Sequence, residues 1–180
     1  MNIIYIIIAI ILILLIAIIL IYNHLVTLNN RCNNAWSQID NQLKRRYDLI
    51  PNLIEVTKGY ANHERQTLVE TVNKRVQTNN LSEIAKESEE VSKGVKKLLA
   101  VAESYPDLKA NELFKNLQIE LTGTEDKIAF ARQFYNDSVQ DFNTAIEIFP
   151  NNILANILNY KSKNYFKVKE NERNQVKINL

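Results

Sequence analysis

The sequence contains few residues that interrupt helices, since glycine and proline each occur three times among 180 residues. So few breakers favour long helices joined by short turns, and no segment shows the alternating pattern typical of β-strands. Cysteine occurs once, as Cys32, so an internal disulfide is excluded, and we interpret it as a small apolar residue in a helix seam rather than as a reactive thiol. The 22 basic and 20 acidic residues nearly balance, which argues against nucleic acid as the main partner.

One long apolar run stands at the beginning of the chain. Residues 3–22 contain no charged residue and no helix breaker, and about 20 residues at about 1.5 Å each match a hydrocarbon core about 30 Å thick. Tyr5 and Tyr22 lie near its ends, where amphipathic rings favour the membrane interface. A cleaved signal peptide is the alternative, but no Lys or Arg precedes the run and no small-residue cleavage site follows it. We therefore predict a transmembrane anchor over 1–23 that contacts the lipid bilayer through residues 3–22.

A helical seam follows this run, because apolar residues recur at steps of three and four. Its members are Cys32, Trp36, Ile39, Leu43, Tyr47, Ile50 and Ile54. The anchor helix therefore continues into the bundle, or restarts after a short break near 23–30, where asparagines lower the helix propensity. Pro51 predicts a kink or a new helix capped by Asp48. The apolar pattern then resumes as far as Val76, before the turn-prone residues 78–80.

The same spacing predicts two further long helices. Residues 81–102 form a coiled-coil-like stripe, and a turn at 104–107 separates it from a long helix over 108–149 that Pro150 stops. A short amphipathic piece over 153–158 comes next.

Together these segments predict an all-α fold, in which an N-terminal transmembrane helix is followed by a long antiparallel bundle of three to four helices with coiled-coil-like seams. We assign the bundle to residues 24–166, which is enough chain for one domain with a substantial core. The charged tail over 167–180 is expected to fray.

Several long motifs follow one another through the bundle segment. They read Trp36-Ser-Gln-Ile-Asp40, Gln42-Leu-Lys-Arg-Arg-Tyr-Asp-Leu-Ile-Pro-Asn-Leu53, Lys58-Gly-Tyr60, Tyr105-Pro-Asp-Leu-Lys-Ala-Asn111, Glu120-Leu-Thr-Gly-Thr-Glu125 and Ile128-Ala-Phe-Ala-Arg-Gln-Phe-Tyr-Asn136. In this order they resemble the LemA family of bacterial membrane-anchored helical proteins over nearly all of the chain after the anchor, whereas 70–95 resembles that family less. The resemblance implies a helical bundle behind one transmembrane helix. It implies no enzyme, because the family offers no established catalytic residues to carry over.

Residues that suggest catalysis or metal binding are sparse. His63 and Glu64 match the start of a zinc-protease motif, but Thr67 stands where the second histidine is needed, so we predict no metal site. We interpret Glu120 and Glu125 as solvated or paired helix charges rather than as acid–base groups. We therefore predict no catalytic residue, no cofactor and no small-molecule substrate.

Some charged residues lie at the flank of a seam, where such side chains often bridge helices and set their register. These are Asp40, Arg46 and Arg132. Arg46 also belongs to the basic run 44–46, which is a tempting site for anionic lipid headgroups. The run begins about 33 Å beyond the span if the helix is continuous, far outside a Debye length of about 8–10 Å. We expect Arg45 to point away from the seam, into solvent or toward a partner.

The function that this architecture favours is that of a single-pass membrane scaffold that presents an exposed bundle face to a protein partner. One alternative is a membrane-anchored accessory subunit or enzyme with an unrecognised site. Another is a sensor-like element that transmits strain along the first helix. The N-terminal flank lacks Lys and Arg, whereas Arg31 and the run 44–46 follow the span, so the positive-inside rule predicts a cytoplasmic bundle at the cell membrane.

Overall fold

The computed structural model describes residues 2–60, 66, 69–70 and 80–167. The helices whose bounds are described are α1 (Asn2–Val56), α2 (Leu81–Ala102), α3 (Pro106–Ala110), α4 (Glu112–Glu147) and α5 (Asn151–Ile157). The described ranges contain no strand, so the predicted all-α fold is confirmed. The pair His63–Glu64 and the tail over 168–180, for which we predicted fraying, lie outside the described residues.

Helix α1 runs without interruption from the apolar span into the packed part of the chain. It is long and apolar enough to cross a membrane, and nearly all side chains between residues 3 and 20 are exposed. Burial begins at Leu25. The break considered near 23–30 is absent, and no new helix begins at Asp48. Pro51 is exposed, and α1 continues past it to Val56.

Helix α1 ends at Val56, and turns occupy residues 57–60, so the apolar pattern does not continue there as unbroken helix. Residues 66, 69 and 70 are helical again, and the rest of the predicted stretch to Val76 lies outside the described residues. Gly59 adopts a φ of +91°, a left-handed conformation that commonly terminates helices and that residues with a side chain rarely adopt. The Thr57 hydroxyl lies 2.8 Å from the Leu53 carbonyl, which also accepts from the Thr57 amide, and 3.1 Å from the Ile54 carbonyl, so this side chain bonds to carbonyls of the last turn. Apolar spacing identifies the buried face of a helix, but it does not detect a glycine stop.

Asparagine side chains begin the next two long helices. Asn80 Oδ1 accepts a hydrogen bond from the Ser82 amide at 3.0 Å and caps α2, whose bounds match the predicted 81–102. Asn111 Oδ1 accepts one from the Phe114 amide at 3.1 Å and caps α4.

Helix α4 is shorter at both ends than the predicted helix over 108–149. Asn111 has a ψ of 123°, which is an extended conformation that separates α3 from α4. At the other end α4 stops at Glu147, because Phe149 precedes a proline and that position disfavours helical geometry. The seam prediction holds between these ends, where the predicted residues that are buried are Phe114, Leu117, Leu121, Thr124, Ile128, Ala131, Tyr135, Ser138, Phe142 and Ala145. Val139, which lies outside the predicted seam, is buried as well.

The chain divides into two compact units, and both α1 and α4 contribute to each of them. Unit 1 comprises residues 1–38 and 131–165, and unit 2 comprises residues 39–130 and 166–180. In unit 1, Arg31 contacts Asp141 and Trp36 contacts Tyr135. Residue numbers therefore fall on α4 as they rise on α1, which makes the two helices antiparallel within this unit, as predicted.

The interior of unit 2 is an apolar cluster to which α1, α2, α3 and α4 all contribute. Its members are Ile50, Leu53, Val91, Val95, Leu98, Ala102, Leu108, Phe114 and Leu121. Burial of such side chains is the main favourable contribution to folding. The cluster therefore determines which face of each helix points to the interior of unit 2, and polar side chains on those faces also point inward.

Candidate functional site

The densest polar network among the described residues surrounds Arg46 of α1 inside unit 2. The exposed fraction of the Arg46 side chain is 0%, although a guanidinium remains charged throughout the physiological pH range. Arginine is rarely buried to this extent unless it is paired. Arg46 lies on the seam side of α1, as its flank position predicts. The face of α1 that buries apolar residues therefore also contains a buried positive charge.

Side chains from two other helices surround the guanidinium. Arg46 Nη1 donates to Ser92 Oγ at 2.7 Å and to Glu125 Oε1 at 2.8 Å. Nη2 donates to Ser88 Oγ at 3.0 Å. The Ser92 hydroxyl also lies 2.7 Å from Glu125 Oε2, to which it donates. The guanidinium therefore connects α1 with α2 and α4 within unit 2.

The sequence of α2 places the two serines correctly for this role. Ser88 and Ser92 are four residues apart, so they lie one above the other on the helix surface. Ser88 occupies a position in the predicted apolar stripe and is buried. A serine side chain is short and offers a hydroxyl acceptor, so it leaves space for a guanidinium where a leucine would exclude it.

The geometry fits a clamp between helices better than a reactive centre. A guanidinium keeps its proton in proteins, so Arg46 cannot act as a general acid or base. Both carboxylate oxygens of Glu125 are already hydrogen-bonded. Because an unpaired buried charge is costly, any shift that separates these helices is opposed. The earlier interpretation of Arg46 as a residue that bridges helices is therefore confirmed.

The residues next to Arg46 on α1 make contacts at the rim of the network. Arg45, which we expected to point away from the seam, reaches α4, where its Nη2 lies 3.5 Å from Glu120 Oε2. Both side chains are about half exposed. The Tyr47 hydroxyl donates to Glu87 Oε1 on α2 at 2.6 Å. Glu120, like Glu125, is thus a paired helix charge, as interpreted from the sequence.

A second polar group of different character lies in unit 1 around Cys32. Cys32 is buried, and its thiol donates to the Ser138 carbonyl at 3.1 Å. Burial raises the pKa of the Cys32 thiol, and the positive charges of Lys163 and Arg31 oppose this effect only in part. The thiolate is the nucleophilic form, so these surroundings support the interpretation of Cys32 as a seam residue.

Tyr135 of α4 completes this group. Its ring lies edge-on to Trp36, with centroids 5.8 Å apart, and its hydroxyl donates to the Asn164 carbonyl at 3.0 Å. Burial raises the pKa of Tyr135, and a charge on Cys32 would raise it further. Burial therefore favours the neutral forms of both Cys32 and Tyr135.

The segment that follows α5 is fastened to unit 1 by Asn143 and Lys163. The Asn143 amide donates to the Lys163 carbonyl at 3.0 Å and accepts from the Lys163 amide at 2.8 Å. Lys163 Nζ also donates to Asn33 Oδ1 on α1 at 3.0 Å. The Phe142 ring packs edge-on against Tyr160 at 5.5 Å. This segment therefore ties α1 and α4 together in unit 1.

The other residues singled out from the sequence take no part in these networks. Asp40 is exposed and Arg132 is half-buried, and neither forms an ion pair with a residue that the structure describes. The expectation that they bridge helices is therefore wrong. Across the described ranges, no group of three or more His, Cys, Asp or Glu side chains is placed to hold a metal ion.

Sequence reasoning missed the partners of Arg46 and the whole fastening of unit 1. Ser88 was recognisable as the one polar residue in the stripe of α2, and Ser92 follows it by one turn. Asn143 gave no such signal, because its side-chain amide bonds to backbone groups of Lys163, whose position depends on the fold. A pattern of residue types cannot reveal such contacts.

Comparison with known proteins identifies relatives in several bacteria. The chain is similar to the magnetosome protein MamQ 2 of Paramagnetospirillum magneticum, with 28% identity over 82% of this chain and 65% of that protein. It is similar to the magnetosome protein MamQ of Magnetospirillum gryphiswaldense, with 27% identity over 81% and 64% of the two chains. The chain thus spans slightly less than two thirds of the length of these relatives.

A further relative and the family comparison agree with each other. The chain is similar to protein LemA of Metamycoplasma hominis, with 28% identity over 84% of this chain and 71% of that protein. The sequence profile of the LemA family matches residues 35–180. This match covers Arg46, its partners and the contacts of Tyr135. The chain belongs to the LemA family.

Proposed function

We propose that this chain is a single-pass membrane protein of the cell membrane that holds its helical units beside the bilayer as a non-enzymatic scaffold. The observation that carries the proposal is the continuity of α1. Its first part exposes apolar side chains over residues 3–20, and its later part supplies Arg46 and Leu53 to the interior of unit 2. The anchor and the first helix of the bundle are thus both parts of α1, and separating them requires breaking backbone hydrogen bonds of this helix.

A membrane extraction experiment tests the anchor. The full chain should stay with the membrane fraction through high salt and alkaline carbonate and dissolve only in detergent, because about 20 apolar residues in lipid do not leave with the aqueous phase. A variant that lacks residues 3–22 serves as the control and should be released. Release of the intact chain by carbonate would contradict the proposal.

We propose the outer face of α4 in unit 2 as the surface for a protein partner with an apolar pocket. Ile119 and Phe130 are 70% and 73% exposed. They are eleven residues apart, close to three helical turns, so they project from the same face. Large exposed apolar residues, aromatic ones especially, are typical anchors of protein–protein interfaces.

Crosslinking in intact membranes, followed by affinity purification, tests this surface. Phe130→Ser should abolish a defined crosslinked product, since the anchor side chain is removed. Leu113→Ser provides the control, because Leu113 is also exposed but does not lie on the face of Ile119 and Phe130. Loss of the product in both variants, or in neither, would argue against this face.

We also propose that the units lie in the cytoplasm. The N-terminal flank carries no Lys or Arg, whereas Arg31 follows the span, and basic flanks stay on the cytoplasmic side. A reporter that is active only outside the cytoplasm, fused after Leu180, should give no signal. A strong signal would place the units on the opposite side of the membrane without affecting the proposal of an anchor.

A sensor-like role is the second candidate, and the same helix favours it. Because α1 is continuous and Arg46 fastens it to α2 and α4, a change of tilt in the span would be transmitted to unit 2. Disulfide or dye distance measurements between α1 and α2 in thick and thin bilayers would test this role. Distances that do not respond to bilayer thickness would exclude it.

A further inference from the structure

The two residues that follow α4, together with helix α5, carry large apolar side chains outward in unit 1. Ile148, Phe149, Ile153 and Ile157 are 49%, 79%, 55% and 69% exposed. Within α5 the buried residue is Ala155, so the smallest apolar side chain points inward and the isoleucines point outward. This is the reverse of the arrangement expected for a helix that packs on a protein core, and a contiguous exposed apolar patch indicates an interaction site.

The contacts of unit 1 fix the position of this patch along α1. Cys32 Sγ lies 3.1 Å from the Ser138 carbonyl, so these two residues are at the same level of the antiparallel pair. From Ser138, nine residues lead to the end of α4 at Glu147, which is about 14 Å along the helix axis. Nine residues back from Cys32 is Asn23, the residue directly after the apolar span. The patch therefore begins at the level where the span ends.

From this placement we propose that Ile148–Ile157 is an interfacial element that inserts its apolar side chains into the headgroup region of the bilayer. The proposal rests on the membrane anchor proposed above. Exposed isoleucine and phenylalanine side chains at this depth would gain the transfer free energy that drives amphipathic segments into the interface. Between Ile148 and Lys167 the chain contains three lysines and no acidic residue, which favours a leaflet with anionic lipids.

The test uses the full chain reconstituted in vesicles made of equal parts of phosphatidylcholine and phosphatidylglycerol. In a Cys32→Ala background, single cysteines are introduced by Ile157→Cys or Ile119→Cys and labelled with an environment-sensitive dye. The two positions are matched, since the native side chains are 69% and 70% exposed. The label at 157 should show a blue-shifted emission and lose most of its fluorescence to lipids with a nitroxide near the headgroup. The label at 119 should show neither effect, and equal behaviour of the two labels would overturn the proposal.

Three controls separate the possible causes of failure. A label introduced by Leu12→Cys reports the anchor: if it is not quenched by nitroxides placed deep in the bilayer, the anchor itself fails. If it is quenched and the label at 157 is not, only the interfacial element fails. If the blue shift of the label at 157 disappears on dilution to one chain per vesicle, a second copy of the chain covers this face instead of lipid, and the proposal is overturned. Finally, Ile153→Ser should weaken quenching of a label introduced by Phe149→Cys; unchanged quenching counts against insertion of this face.

Discussion

The two units are built on the same pair of helices but hold their most deeply buried polar groups in different ways. In unit 2, Arg46 depends on side chains of other helices, namely two serines and Glu125. In unit 1, Cys32 and Tyr135 donate to backbone carbonyls, and Asn143 bonds to the backbone of Lys163. A side-chain acceptor is lost by one substitution, whereas a backbone carbonyl is present whatever residue carries it.

This difference predicts different sensitivities. Unit 2 should lose most stability when Arg46 or Glu125 is replaced, because removal of either side chain leaves the charge of the other without its partner inside the unit. Unit 1 contains no ion pair as deeply buried among its described residues, so it should respond most to the loss of apolar volume. The single tryptophan, Trp36, lies in unit 1, so its fluorescence reports that unit, while circular dichroism reports the helices of both.

The largest expected effect is that of Glu125→Ala. The substitution leaves the charge of Arg46 at an exposed fraction of 0% without its carboxylate, and the expected loss in free energy of unfolding is about 3–5 kcal/mol. The measurement is denaturant unfolding of the full chain in detergent micelles, followed by circular dichroism. A loss below about 1 kcal/mol would mean that water reaches the guanidinium.

The paired substitution of Arg46→Leu together with Glu125→Leu is the control for this experiment. Replacing both members of a buried ion pair by apolar residues is often neutral or stabilising. Most of the stability lost in Glu125→Ala should therefore return in the double variant. If it does not, the side chain of Glu125 stabilises unit 2 by packing rather than by pairing with Arg46.

Arg46 illustrates which features of the site can be predicted from the sequence. Its flank location on α1 follows from helical phase alone, and the apolar stripes identify nearly all of the buried faces of α2 and α4. The bounds of α2 were predictable because a capping asparagine precedes a regular stripe. Helical phase does not show which helices pack against each other. Nothing in the local sequence indicates that Ser92 of α2 and Glu125 of α4 lie beside the same guanidinium.

The errors in the predicted fold have a common physical origin in single residues that override periodicity. Gly59 ends α1 although the apolar pattern continues beyond it, and Asn111 interrupts a helix whose spacing is otherwise regular. At the other end Phe149 has the correct spacing for the seam but stands before proline, and it is 79% exposed. Periodicity describes faces, whereas backbone conformation at a few positions decides where a helix ends.

The second prediction concerns the volume of unit 1. Phe142 is almost completely buried and packs on Tyr160, so Phe142→Ala should lower the free energy of unfolding by about 3–5 kcal/mol. Circular dichroism during denaturation is the measurement for both variants, because it reports the helices of both units, and Trp36 emission follows unit 1 in addition. Phe130→Ala is the matched control on the same helix, and because Phe130 is exposed its cost should stay within about 0.5 kcal/mol. Equal costs for the two variants would place the seam of α4 on the wrong face.

The third prediction concerns alkaline pH. Burial raises the pKa of the Cys32 thiol above its ordinary value of 9.0, so the unfolded chain releases this proton at a lower pH than the folded chain. The stabilisation is complete below the unfolded pKa and is lost as pH rises from there through the folded pKa. Unit 1 should therefore weaken above about pH 9, with each pH unit between the two pKa values contributing about 1.4 kcal/mol.

Cys32→Ala isolates this effect, because alanine does not titrate. The variant should show a flatter dependence of stability on pH over the first part of the alkaline range, measured by Trp36 emission at a series of pH values. Tyr135, whose pKa is also raised, acts in the same direction at higher pH and should remain in the variant. An unchanged slope near pH 9 would show that the thiol does not contribute.

The smallest expected effect lies next to the largest one on the same helix. Arg45 is 3.5 Å from Glu120, and both side chains are about half exposed, so the pair is solvated and screened by salt. Arg45→Ala should change the free energy of unfolding by no more than about 0.5 kcal/mol, and Glu120→Ala should behave in the same way. Denaturation at low and high salt is the measurement, and any small difference should vanish at high salt. A loss in free energy of unfolding near that of Glu125→Ala would mean that water is excluded from the Arg45–Glu120 pair as it is from the guanidinium of Arg46. The difference between the two neighbouring arginines therefore shows how far water penetrates into unit 2.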